Sequence, residues 1–178
     1  MKGEGRNERS QRMTAKEALD KLLKAYSVYY DINKRNPAAP FAAEAAFRSH
    51  EEQYFLIRSA RLAESESNEY VFFALEETLT APLLQALDGA AWSAGISRVA
   101  PHKDHRNTDI TLLVFASRIE PDASALVPKL KHYQSYRFGF QGWSHYRLAA
   151  FAADTDELFC NGQGKILRKF LKRNLNLR

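Results

Sequence analysis

The chain has 178 residues, among them eleven Phe, eight Tyr and two Trp, which is ample apolar material for one packed domain and tight for two. Its longest apolar runs, residues 71–75 and 112–116, fall far short of the ~20 residues of a membrane-spanning helix. The opening thirteen residues lack the apolar stretch of a secretory signal, and the lone Cys160 permits no internal disulfide. The expectation is a soluble, cytoplasmic protein with no membrane partner and no cofactor.

The net charge of +5 is uneven, because residues 165–178 carry six basic groups and no acidic one. The body of the chain is therefore mildly acidic. Basic ends of this kind are solvated surfaces or arms that hold polyanions.

In chain order, residues 1–13 are polar and aperiodic, so they read as a disordered terminus. Thr14 and Glu17 fit a capping box, and Ala15, Ala18, Leu19, Leu22, Leu23, Tyr26 and Tyr29 recur at helical spacing, predicting a helix over 15–31. Pro37 and Pro40 break it. Residues 41–49 are Ala-rich, with Phe41, Ala45 and Phe47 spaced like a short helix. Residues 53–62 and 69–76 read as two strands of a hairpin, the second apolar on both faces and so covered on both sides. Thr80 caps a further helix with Pro82 in its first turn, and its buried stripe is Leu83, Leu84, Leu87, Ala91 and Ala94. Residues 109–117 form another doubly apolar strand, and Pro121 and Asp122 begin a short helix.

The segment over residues 133–151 is the richest. Tyr136, Phe138 and Phe140 alternate on one face, which predicts core. Arg137, Gly139 and Gln141 alternate on the other, and Gly142 interrupts the run as a turn or bulge. Tyr146, Leu148 and Ala150 then continue the apolar face, with His145 and Arg147 on the polar one. Residues 154–156 turn the chain, 157–160 form a last short strand, and 161–164 turn again. A basic helix with the apolar stripe Ile166, Leu167, Phe170, Leu171 and Leu175 closes the chain, and that stripe predicts packing with the cations outward. The whole reads as one α+β domain over 14–164. Its sheet is mixed or mainly antiparallel, of about five strands with flanking helices, followed by a basic amphipathic helix over 165–178.

Three constellations could carry chemistry. His102, Asp104, His105 and Asp109 crowd one loop, and imidazole with carboxylate ligates transition metals. The spacing matches no established metal motif, and Lys103 and Arg106 oppose a cation. A polar loop satisfying turn hydrogen bonds is the plainer account. Secondly, Arg137, Trp143, His145 and Arg147, with Tyr133 nearby, offer rings for stacking and cations for phosphates. Thirdly, Lys165, Arg168, Lys169, Lys172 and Arg173 form the basic helix, and the glycines before Lys165 could expose backbone N–H groups to an anion. No E-x-K or D-x-K pair of a divalent-metal nuclease occurs, no phosphate loop is complete, and no nucleophile elbow or H-E-x-x-H is present. Cys160 reads as a buried, inert thiol.

The segments FRSHEEQYFLIRSARL, NEYVFFAL, PHKDHRNTDITLLVF and SYRFGFQGWSHYRLAAF resemble those of an uncharacterised family of small bacterial proteins carrying a domain of unknown function. The resemblance spans about residues 41–155 and implies one cytosolic bacterial domain, with the basic helix outside the matched part and no catalytic residue to carry over. The leading expectation is a binding module for nucleic acid or another polyanion. The alternatives are a metal- or anion-dependent enzyme using the 102–109 loop and a protein-interaction domain that docks through its C-terminal helix.

Overall fold

The structure is a computed structural model that describes residues 12–47, 66–103 and 105–177. Residues 1–11, the strand expected over 53–62 and Asp104 lie outside the described residues.

Helix α1 (Ala15–Tyr26) starts where the capping box places it: Thr14 Oγ1 accepts from the Glu17 amide at 3.2 Å, and Glu17 Oε2 accepts from the Thr14 amide at 2.8 Å. It stops five residues short of the expected end, because Tyr30–Asn33 pairs as a strand, β1. Strand β2 (Ala43–Phe47) replaces the expected helix over 41–49. Its Ala-rich sequence favours a helix, but β1 and β3 pair with both its edges, and ladder formation with burial of Ala43 and Ala45 overrides local propensity. Strand β3 (Glu66–Leu79), helix α2 (Ala81–Ile96) and strand β4 (His105–Ile119) form a βαβ unit with β3 and β4 parallel. Thr80 caps α2. Helix α3 (Pro121–Leu126) and a one-turn 3-10 segment (Val127–Lys129) lead to β5 (Tyr133–Ser135), which hairpins into β6 (Trp143–Ala152). Strand β7 (Glu157–Cys160) follows, then a 3-10 segment (Gln163–Leu167) and helix α4 (Arg168–Leu175).

Among the described residues the sheet has seven strands in the order β1-β2-β3-β4-β6-β5, and β7 pairs the other half of β6. The pairs β3–β4 and β4–β6 are parallel and the rest antiparallel. The sheet is therefore mixed, and larger than the expected five strands. Strands that the residues did not predict are β1, too short to carry a period, and β2, whose composition masks it.

Alternation along β3, β4 and β6 sends side chains to two cores. Val71, Phe73, Leu113, Phe115, Ala149 and Phe151 pack under α1 and α4. Phe72, Ala74, Leu112, Val114, Leu148 and Ala150 pack under α2 and α3. Each large apolar side chain so buried contributes about 1.5–3 kcal/mol. No helix among the described residues is long and apolar enough to cross a membrane.

Candidate functional site

Beyond the last turn of α1, the same sheet face turns polar at the start of the three parallel strands. Register and alternation bring Glu69, Asp109, Thr111 and Arg147 together there. Arg147 Nη2 donates to Asp109 Oδ2 at 2.7 Å and Nη1 to Glu69 Oε1 at 3.3 Å. Thr111 Oγ1 donates to Glu69 Oε1 at 3.1 Å, and Tyr30 Oη donates to Glu69 Oε2 at 2.6 Å. Burial pushes the Asp109 carboxyl up from its ordinary value, against the pull of Arg147. Burial, then the Glu69 charge, pushes the Tyr30 phenol up as well. The two carboxylates compensate one guanidinium, so Arg147 is held by protein groups rather than turned to solvent. Its expected part in phosphate contact would require it to leave both.

Past this cluster the face becomes aromatic. Tyr133 lies opposite His145 in the β5–β6 register, with ring centroids 5.3 Å apart, and Trp143 lies 6.3 Å from His145. The expected alternation of Tyr136, Phe138 and Phe140 into the core is corrected. After Ser135 the chain leaves the sheet in a one-turn 3-10 segment (Arg137–Gly139), and Phe138 and Phe140 are 102% and 85% exposed. Arg137, Phe138, Gly139 and Gly142 take φ values of 44°, 56°, 93° and 77°. Tyr136 N donates to Gly142 O at 3.0 Å and Gly139 N to Tyr136 O at 2.9 Å, which closes the tip on itself. Gly142 is required twice over, by its φ and because a Cβ there would stand 2.1 Å from Arg106 O.

His105 clamps the tip to the domain. Its Nδ1 lies 2.7 Å from Gln141 O, and a carbonyl only accepts, so Nδ1 carries the proton. Nε2 then accepts from Thr108 Oγ1 at 3.0 Å. A register shift at the start of β4 puts His105 on the face of Thr108, away from Asp109. His102 lies beside it, ring centroids 6.2 Å apart. Of the four expected metal ligands, then, His105 has both nitrogens engaged, Asp109 is held by Arg147, and Asp104 is not described. Among the described residues no group of three His, Cys, Asp or Glu is placed to hold a metal.

The basic end of the chain lies on the domain. Leu171 and Leu175 are buried against α1, and Phe170 meets Tyr26 edge-on at 5.4 Å. Lys165, Arg168, Lys169 and Arg173 face solvent. None of these four has an ion-pair partner among the described residues. Arg168 and Lys172 border a groove of about 450 Å³ along β7. The backbone N–H groups read as an anion cradle are largely taken: Gly164 N donates to Asn161 Oδ1 at 2.7 Å and Lys165 N to Asn161 O at 3.2 Å.

Two arrangements escaped the sequence reading. Asn161, 1% exposed, uses its side chain four times: Oδ1 accepts from Leu148 N and Gly164 N, and Nδ2 donates to Leu130 O and Tyr146 O. His132 Nε2 meets Asp88 Oδ2 at 2.7 Å and stacks on Trp92 at 5.0 Å, while burial, then the Asp88 charge, pushes the Tyr146 phenol up. The first signal was an Asn before a glycine turn. The second had none, because its partners lie 44 residues apart.

Fold and site together define a three-layer α+β domain with a clamped aromatic hairpin at one end of its sheet and a basic helix packed on one face. The chain belongs to the family described as Domain of unknown function (DUF8052), whose model matches residues 14–173. The match extends beyond the expected 41–155 and takes in most of the basic C-terminal segment. No curated protein and no solved structure matches the chain.

Proposed function

We propose that this domain is a cytosolic binding module for polyanions, nucleic acid foremost. The observation that carries the reading is the placement of α4. Its apolar side is anchored on α1 by Leu171 and Leu175, which leaves Arg168, Lys169 and Arg173 outward beside Lys165. Lys16, Lys21 and Lys24 are also outward on α1, interspersed with Glu17 and Asp20. A fixed row of cations loses less side-chain and backbone freedom on meeting phosphates than a mobile tail does. Binding of this kind releases counterions, so its affinity falls with salt at a slope near the number of phosphates contacted.

The test is fluorescence anisotropy of labelled oligonucleotides across a salt series. The wild-type chain should bind at low salt with a steep slope. An Arg168→Glu/Lys169→Glu/Arg173→Glu variant should lose most of the affinity and about two to three units of slope. Binding indifferent to salt, or unchanged in the variant, would sink the reading.

A second reading is a protein partner docking on α4. It is favoured by Ile166 and Phe170, which are 70% and 38% exposed between the cations. Loss of a protein partner on Ile166→Asp, in a chain that binds no oligonucleotide, would select it.

A further inference from the structure

We infer that the β5–β6 hairpin tip is a base-stacking element, so that the preferred ligand is single-stranded nucleic acid. This deepens the polyanion reading above and rests on it.

Four observations converge. Phe138 and Phe140 stand in solvent at 102% and 85% exposure, at the tip of the hairpin whose strands carry Tyr133, His145 and Trp143, with the His145 ring 5.3 Å from Tyr133 and 6.3 Å from Trp143. The backbone that holds them out is costly: Phe138 has φ 56°, a region bulky side chains rarely enter. Such a conformation persists because the surroundings over-determine it. Here they are the turn's internal hydrogen bonds and the His105 clamp on Gln141 O, so the rings are presented by a rigid knob rather than a loose loop. Finally, the chain contains no acidic residue between Asp122 and Asp154, while Lys129, Lys131 and Arg137, besides the paired Arg147, fall in that interval. Arg137 is exposed at the tip itself, next to Phe138.

That combination fits unpaired nucleobases. Each nucleotide offers a flat π-face for a ring and a phosphate for a cation. A duplex buries its base faces in its own stack. Phe carries no hydrogen-bond donor or acceptor, so the tip reads no base identity and the preference is for strandedness, not sequence.

The experiment compares a labelled oligothymidylate about twenty nucleotides long with a duplex of equal length, at fixed salt, for the full chain, Phe138→Ala/Phe140→Ala, and Phe138→Trp. The expected result is tighter binding of the single strand by the wild type. The double alanine variant should weaken it about 5- to 150-fold per ring that stacks, leaving duplex affinity and salt slope unchanged, and Phe138→Trp should retain the preference. Equal affinity for both forms in the wild type overturns the inference, as does a double variant that behaves like wild type or loses both ligands alike. In those cases salt-dependent binding would leave the polyanion reading standing. No binding of either oligonucleotide at low salt overturns both.

Discussion

Arg147 Nη2 lies 2.7 Å from Asp109 Oδ2 across two parallel strands, and the same guanidinium reaches Glu69 at 3.3 Å. All three side chains are less than one-fifth exposed, so each charge depends on the others for its solvation. Arg147→Ala leaves two carboxylates facing each other and should cost about 3 kcal/mol of unfolding free energy in urea denaturation. Adding Glu69→Gln and Asp109→Asn should restore part of it.

The pH dependence follows from the direction of the Asp109 shift. Burial raises its folded value above the ordinary 3.8, so the folded chain holds the extra proton between that value and the raised one. Stability therefore falls as pH rises through this window. Arg147→Ala removes the group that pulls the carboxyl down, so its penalty should be smaller near pH 4 than near pH 7. A penalty that grows on acidification would contradict the electrostatic account.

Asn161→Ala should be among the most damaging single changes. It orphans the Leu148 and Gly164 amides and the Leu130 and Tyr146 carbonyls at a site 1% exposed, which costs about 3 kcal/mol or more. Asn161→Asp keeps the acceptor but loses the donor and buries a charge, so it should rescue little. The thermal midpoint of each variant checks this.

Glycine substitutions should separate by environment. Gly142→Ala meets Arg106 O at 2.1 Å with φ 77° and should cost more than about 2 kcal/mol. Gly139→Ala has φ 93° and would meet only Ser135 Oγ, at 4.0 Å, so the backbone cost of about 1–2 kcal/mol remains. Gly89→Ala, inside α2 with nothing within 4 Å, should stabilise by about 0.5–1 kcal/mol.

Cys160 should label slowly with a thiol reagent in native buffer and rapidly in denaturant. It is 8% exposed, and burial pushes its thiol up against the pull of Arg168 and Lys165. Fast native labelling would show that β7 opens.

Much of the fold was legible. The Thr14–Glu17 capping box, the Thr80 cap with Pro82, the doubly apolar runs of β3 and β4, and the turn at Gly142 are local signals, and each stands where the residues alone put it. Less of the site was. His145 and Arg147 share a strand face, as their period implies, but the period failed at Phe138 and Phe140, because a turn with left-handed backbone looks, in sequence, like two more residues of a strand.

The sequence by itself determined the class of element at most positions, the pairing of apolar faces with two cores, and the gathering of positive charge at the C-terminus. These depend on spacing within one segment, which backbone geometry converts directly into a face. Only the tertiary structure decided that Ala43–Phe47 is a strand, that Arg147 is bound to Glu69 and Asp109, that α4 lies on α1, and that Phe138 and Phe140 stand outside. Each depends on groups distant in the chain, as when His105 holds Gln141. The free energy of such a contact belongs to the pair, and neither residue's neighbours in sequence encode it.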